Sequence, residues 1–404
     1  MLTVTEARER ILSHFKATIT ETIPLVDAGN RILGAEIRAD GDYPPFDNSA
    51  VDGFALRAED TSASFLTLNV VADIPAGSAP TVFLKSGQAA RIMTGAQLPD
   101  GADCVIPVEE TDFNNRHAGT PAPKIITFSK QMKVGDNIRS RGMDMRSGDI
   151  VLKQGRTLKP QDLGLLATLG FANVPVHKKA RVALLSSGDE LLEIGAPLEA
   201  GKIRDSNSYA LAASIASAGA EVIRLGVAKD TRESVTSLLD KATKENADLI
   251  LSSAGVSVGA FDFIKEVIET NGNMDFWKVN MRPGKPLAFG VYRGIPFIGL
   301  PGNPVSAFVG FEVFVRPTLE RLNGRMDGGR LQVKVRTAEE IESDGRESYL
   351  RAKIQVKNGI RSASLTGHQG SGNLLSLVQA DALLIIPAGV KCVPAGSEVD
   401  AILL

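Results

Sequence analysis

The stretch from 180 to 322 constrains the fold more than any other, because apolar runs of strand length alternate there with amphipathic runs of helix length. RVALLSS precedes a predicted helix over 207–218, EVIRLGV one over 231–244, and DLILSSAG one over 261–270. FWKVNM, PLAFGVY and PFIGL follow as strands, and a long helix is predicted from 304 to about 322. Strands without polar alternation are buried on both faces, and repeated strand–helix units return each strand parallel to the last. The expected fold class is multidomain α/β plus β, with a central mostly parallel α/β sheet and helices on both its faces.

The flanks read differently. Thr3 and Glu6 have capping-box spacing, and Val4, Ala7, Ile11 and Phe15 share one face, which predicts an N-terminal helix. A turn-rich passage ends in YPPFDNS at 43–49, and from about 65 to 129 short β runs are broken by Gly and Pro. A short strand and a Pro160-started helix follow Gly148. After Gly328 the pattern returns to β, from LQVKVRTAEE to EVDAILL, as a small all-β module. The shift at 323–330 (NGRMDGGR) is the clearest boundary, and 404 residues correspond to roughly two to four domains.

Composition removes several function classes. At 43% apolar and 23% charged the chain is globular in type, and no window of ~18 uninterrupted apolar residues predicts a membrane span. The start, MLTVTEARERILSHF, carries Glu6 and Glu9 in place of a basic-then-apolar pattern, so no secretory signal is expected. Cys104 and Cys392 lie far apart without a CxxC pair, which argues against a disulfide framework or thiolate zinc site and points to the cytoplasm. A net charge of -2 gives no global attraction to nucleic acid. The histidines (His14, His117, His177, His368) are too scattered to predict a histidine metal site or triad.

Anion chemistry must then come from local clusters. In an open α/β sheet ligands bind beyond the carboxyl ends of the strands. Those ends carry loops at 186–190 (SSGDE), 205–208 (DSNS), 252–262 (SSAGVSVGAFD), 282–286 (RPGKP) and 299–306 (GLPGNPVS). Gly and Ser at such junctions let backbone N–H groups approach an oxyanion, helped by the helix N-terminus. Arg282 and Lys285 add full charge. Glu190, Asp230 and Asp262 would repel that guest unless a hard cation sits between, and magnesium is the natural candidate. Each feature also has a plainer reading. Asp230 and Glu233 have capping-box spacing, Asn303 before Pro304 reads as an N-cap, Asp205 can cap the next helix, and Arg282 and Lys285 can be a solvated turn. The functional reading rests on five such loops at one end of one sheet. Neither a P-loop nor a GxGxxG fingerprint is present.

Together these segments resemble the molybdopterin molybdenumtransferase family, MoeA-like and related to the E domain of gephyrin. The resemblance runs through PPFDNSAVDGFA, RIMTGA, NIRSRGMD, SSGDEL, SSAGVSVGAFDF, RPGKP and GLPGNPVSAF, in that order and over nearly the whole chain. It implies a transferase that inserts molybdate into adenylylated molybdopterin and, with Mg2+, releases AMP. It implies a homodimer and four domains: a discontinuous elongated domain of 1–45 and 146–178, whose N-terminal helix is free to pack elsewhere; a β-rich inserted domain over 46–145; an α/β molybdopterin-binding domain over 179–326; and a C-terminal β-barrel domain over 327–404. It places the active cleft between the α/β domain of one subunit and the inserted domain of the other.

By the same resemblance, Ser257, Arg282, Lys285 and Ser306 would cradle molybdate. Glu190, Asp230 and Asp262 would serve magnesium and the phosphates, and Asp205 and Asn207 would approach the pterin–nucleotide. Asp52, Thr94, Arg139 and Asp144 would come from the partner subunit. Arg282 stands where the family often has Lys, and Ala254 where a second glycine is common. No fused adenylyltransferase domain is seen, so a separate protein would act upstream. The rival readings are a non-catalytic gephyrin-like scaffold, a molybdopterin adenylyltransferase, and a transferase tuned to tungstate.

Overall fold

The computed structural model describes residues 1–62, 66–113, 120–253, 261–325 and 329–404, with the side chains at 261, 262 and 277 outside the description. The chain forms two compact units, Met1–Ala35 with Gln154–Leu404, and Glu36–Lys153.

The larger unit is built on a six-stranded sheet. Its elements are β1 (Arg181–Ser187), α1 (Asn207–Ser217), β2 (Glu221–Ala228), α2 (Arg232–Lys244), β3 (Leu249–Ser253), α3 (Phe261–Asn271), β4 (Gly272–Lys278), β5 (Pro286–Tyr292), β6 (Ile295–Leu300) and α4 (Pro304–Gly310). The strand order is β2-β1-β3-β6-β5-β4. β2, β1, β3 and β6 pair in parallel, and β5 runs antiparallel to both its neighbours. The chain leaves β1 toward β2 on one side and returns to β3 on the other, so the order reverses between β1 and β3. That reversal is the switch point at which open α/β sheets bind ligands.

The period-2 alternation of β1 explains both covered faces. Val182 and Leu184 pack with Leu211, Ile215, Val305 and Phe311 on one side. Ala183 and Leu185 pack with Val235, Leu239, Ile264 and Ile268 on the other. The N-terminal helix, Val4–Ser13, has the expected Thr3–Glu6 capping box, and its stripe of Val4, Ala7 and Ile11 joins the first of these clusters.

One element departs from expectation. The single long helix predicted after Pro304 is an α-helix to Gly310, a π-helical turn over Phe311–Val315, and a second α-helix over Arg316–Leu322. Glu312 in that turn is buried and paired with Arg316 at 2.6 Å and Arg330 at 3.0 Å. The Arg316 pairing has ordinary i,i+4 spacing, whereas the Arg330 pairing does not follow from helical periodicity.

The C-terminal strands close into a five-stranded barrel, because Glu347–Lys357 pairs with Ile360–Leu365 on one side and Ala382–Ile386 on the other. The short strand Met281–Arg282 adds to Glu347–Ser348 of this barrel. Among the described residues no helix is long and apolar enough to cross a membrane.

The smaller unit holds a five-stranded sheet of Cys104–Pro107, Gly53–Leu56, Gln88–Ile92, Leu66–Ile74 and Ile125–Phe128, in that spatial order. A two-residue strand, Asn48–Ser49, pairs with Ile138–Arg139.

Candidate functional site

The carboxyl end of β1 runs into Gly188-Asp189-Glu190. Gly188 sits at φ +147, and a Cβ there would meet the Glu190 carboxylate at 2.5 Å, so glycine lets that side chain fold back over the turn. The loop that follows closes on itself. Ile203 N–H donates to Glu190 O at 2.8 Å, and Asp205 N–H donates to Leu192 O at 3.0 Å. Asp205 and Glu190 thereby line one pocket of about 320 Å³, together with Asn207, Ser253, Asn303 and Ser306.

Each lining residue is held by a definite contact. Asp205 is buried, and its Oδ1 accepts from Ser208 N–H at 3.1 Å, so it caps α1 while facing the pocket. Asn207 Nδ2 donates to Gly302 O at 2.7 Å, tying the start of α1 to the turn before α4. Ser306 lies in the first turn of α4 and is buried. Asn303 is the N-cap of α4 but makes no capping hydrogen bond with its side chain.

Asp230 follows β2, next to β1 in the sheet. The cap of α2 is Thr231, whose side chain accepts from Ser234 N–H, so the Asp230–Glu233 capping box does not form. Asp230 N–H donates to Asp189 Oδ1 at 3.3 Å. Burial, and then the neighbouring Asp189 charge, pushes the Asp230 carboxyl above the ordinary aspartate value. Its Oδ1 is buried with no partner among the described residues, as are the hydroxyls of Ser186 and Ser187 at the end of β1. Asp189, Ser186 and Ser187 belong to the SSGDE loop read from the sequence, but only Glu190 of that loop was given a role of its own. A polar pair closing an otherwise apolar strand is the signal that marks them.

The cationic turn reaches the same neighbourhood from the other direction. Pro286 lines the pocket, and a Cβ on Gly284 would lie 3.7 Å from Ser306 O. Lys285 is exposed and carries no ion pair among the described residues. Arg282 lies 3.8 Å from Asp344 of the barrel, both half-exposed, an arrangement of small energetic worth. Ser257 and the Asp262 side chain lie outside the described residues. Among those described, no three His, Cys, Asp or Glu side chains converge closely enough to hold a metal by themselves.

The remaining sequence candidates lie in the smaller unit. Asp52 Oδ1 accepts from both the N–H and the hydroxyl of Thr94, each at 2.7 Å. Arg139 pairs with Asp144 at 2.7 Å. Both pairs flank the Asn48–Ser49 strand: Arg139 is in register with Asn48, and Gly95 N–H donates to Ser49 O at 2.8 Å. Asn48 lies in the PPFDNSAVDGFA segment read from the sequence without a role of its own, yet it is buried and its Oδ1 has no partner among the described residues.

A larger cavity of about 460 Å³ lies at the opposite ends of β1 and β2, near Lys179 and Gly219. Its guanidiniums are paired internally, Arg31 with Glu21, Arg316 with Glu312 and Arg325 with Glu320, so position, not size, identifies the ligand site.

These features define an α/β protein with an acid-lined pocket at its switch point, joined to a closed β-barrel. Three family models cover most of the chain: the MoeA N-terminal region (domain I and II) over 2–170, a probable molybdopterin binding domain over 183–321, and the MoeA C-terminal region (domain IV) over 334–404. The molybdopterin molybdenumtransferase of Haemophilus influenzae is 38% identical over 99% of this chain and 98% of that protein. That of Bacillus subtilis is 34% identical over 99% and 94%. The crystal structure of a molybdopterin biosynthesis MoeA protein from Pyrococcus horikoshii matches with a TM-score of 0.84 at 33% identity, covering 100% of this chain and 99% of that one. The chain belongs to the MoeA family of molybdopterin molybdenumtransferases.

Proposed function

We propose that the chain inserts molybdate into adenylylated molybdopterin and releases AMP, with magnesium as its cofactor. The observation that carries this reading is the convergence of Glu190, Asp205, Asn207 and Ser306 on one switch-point pocket. Family membership supplies the substrate class.

Magnesium fits the residues present. Asp230 Oδ1, Ser186 Oγ and Ser187 Oγ are hard, buried oxygens at the ends of adjacent strands, without partners among the described residues. Magnesium is commonly held by one or two carboxylates, substrate phosphates and several waters, so a cage of three protein carboxylates is not needed. Asp230 and Glu190 would hold it here, with Asp262 as the expected third carboxylate. When bound, the ion would neutralise charge on the cleaved phosphoanhydride.

The chain's own groups do the rest. Ser306, Ser257 and the turn bearing Arg282 and Lys285 meet the tetrahedral oxyanion, where Arg282 offers a planar fork. Asp205 and Asn207 position the pterin–nucleotide, and both are pre-set by hydrogen bonds to Ser208 N–H and Gly302 O. Positioning and charge neutralisation then supply the rate, without a covalent enzyme intermediate. Trapping an adenylylated or phosphorylated residue would contradict that part.

In the same reading the chain works as a homodimer, and Asp52, Thr94, Arg139 and Asp144 serve the substrate bound by the second copy. A mixture of Asp52→Ala and Asp230→Ala chains then regains activity; a mixture that stays inactive removes this element. A separate molybdopterin adenylyltransferase would supply the substrate. The cytoplasm is the proposed compartment, checked by cell fractionation. The whole reading is tested by incubating the protein with adenylylated molybdopterin, molybdate and Mg2+ and measuring molybdenum on the released pterin. Metal-free pterin with intact substrate binding would favour a carrier or scaffold.

A further inference from the structure

Beside the switch-point pocket lies a second cavity that the reading above does not use. It measures about 270 Å³ and is lined by Glu193, Asp205, Ser208, Tyr209, Arg224 and Val227, among others. Asp205 lines both cavities, so they share a wall and one extended substrate can occupy both.

The cavity opens where the edge strand β2 is irregular. Leu184 of β1 pairs with Arg224, but the next residue, Leu185, pairs with Gly226, leaving Leu225 as an extra residue. Gly226 sits at φ +102 with open space where a Cβ would be. Bulges are uncommon in parallel pairing, and they re-aim the side chains beside them. Here Arg224 is carried over the ring of Tyr209, its Cζ 4.2 Å from the centroid. Arg224 also donates to Ser208 Oγ at 3.2 Å, which fixes the guanidinium relative to the start of α1. Tyr209 is 40% exposed and Val227 36% exposed, so a flat, partly apolar surface stands open beside two carboxylates.

We propose that Tyr209 and Arg224 form a stacking platform for an amino-substituted fused heteroaromatic ring of the substrate. Planar rings stack on aromatic faces and guanidinium planes. The exocyclic amino group needs an acceptor, and Glu193 and the Asp205 oxygen not engaged by Ser208 supply two. The proposal deepens the transferase reading and rests on it for the substrate. That substrate carries two such rings, an aminopterin and an adenine, and the platform chemistry suits both.

The test is calorimetric titration of the full chain with AMP and, separately, with free pterin, in wild type and in Tyr209→Leu, Tyr209→Phe and Arg224→Met. Loss of a base-stacking partner weakens binding by about tenfold or more. Tyr209→Leu and Arg224→Met are each expected to weaken one ligand by that factor, and Tyr209→Phe to retain it. Weakening of AMP alone assigns the platform to the adenine, weakening of pterin alone assigns it to the pterin, and weakening of both supports the shared ring chemistry. The proposal is overturned if wild type binds neither ligand, if Tyr209→Leu and Arg224→Met bind as wild type does, or if Tyr209→Phe loses as much as Tyr209→Leu. Turnover separates this from the broader reading. Variants that keep the wild-type KM for adenylylated molybdopterin remove the platform and leave the transferase standing. A wild type without turnover, but with ring binding that the variants lose, does the reverse.

Discussion

The main-chain N–H of Asp230 donates to Oδ1 of Asp189 at 3.3 Å, which holds two carboxylates together at the ends of adjacent strands. Burial and this like charge raise the Asp230 carboxyl in the folded chain, so folding favours its protonated form. The folded state therefore loses stability as pH rises from the ordinary aspartate value through the raised one, and the deficit persists at neutral pH. Without divalent cation, Asp230→Asn is expected to unfold at a higher temperature than wild type at pH 7, with the gap closing in acid. Magnesium should raise the wild-type midpoint and leave the variant unmoved. Thermal scans with and without Mg2+ check this, and a variant less stable than wild type at pH 7 would contradict it.

A second prediction concerns the turn around Asp52. Its Oδ1 accepts two hydrogen bonds from Thr94, so Thr94→Ser keeps both and Thr94→Val keeps only the backbone one. Because Thr94 is exposed, Thr94→Val should cost no more than about 0.5–1.5 kcal/mol. If the pair serves the substrate, activity falls further than that loss of stability explains. Denaturant titration beside a turnover assay compares the two effects; equal, small changes in both would mark Asp52 and Thr94 as structural.

Gly53 follows Asp52 for a packing reason. A Cβ at this position would lie 2.0 Å from the backbone oxygen of Ile106, on the neighbouring strand Cys104–Pro107. Backbone cannot yield as a side chain can, so Gly53→Ala should destabilise by more than about 4 kcal/mol, in the exceptional range for one methyl group. Gly41→Ala is the control, since nothing lies within 4 Å of its Cβ position. Limited proteolysis should open Glu36–Lys153 in the first variant and not in the second.

Glu312 anchors the π-helical turn. Burial works to raise its carboxyl, but hydrogen bonds from Arg316 and Arg330 outweigh that and hold it below the ordinary glutamate value. Its stabilising contribution is thus present above the ordinary value and lost as pH falls through the lowered one. Removing one partner of a buried pair leaves the other charge uncompensated, so Glu312→Ala should cost about 3–5 kcal/mol at neutral pH and less in acid. Chemical denaturation across pH measures the difference; a cost that does not shrink in acid would place the effect in packing alone.

Much of the α/β architecture was legible because β1 and β3 announce themselves as apolar runs closed by Ser pairs, and local periodicity carries that signal. The meeting of Glu190, Asp205, Asn207 and Ser306 follows from strand order, which periodicity does not encode but the switch-point rule anticipates. Other features depend on contacts distant in sequence. The π turn at Glu312 answers to Arg330, the edge bulge at Leu225 answers to β1, and Arg282 is drawn toward Asp344 through the pairing of Met281–Arg282 with the barrel. The cap of α2 shows a finer limit. Asp230 and Thr231 are both good capping residues, and backbone geometry gives the role to Thr231, leaving Asp230 for chemistry.

The central claim is tested most directly by AMP release from adenylylated molybdopterin, followed with and without molybdate and Mg2+ in wild type and in Asp230→Ala. The account predicts release that requires both molybdate and metal, and a rate at least about tenfold lower in the variant, since electrostatic groups at such sites are worth that much or more. Release that proceeds without molybdate or metal, or at an equal rate in Asp230→Ala, would contradict it.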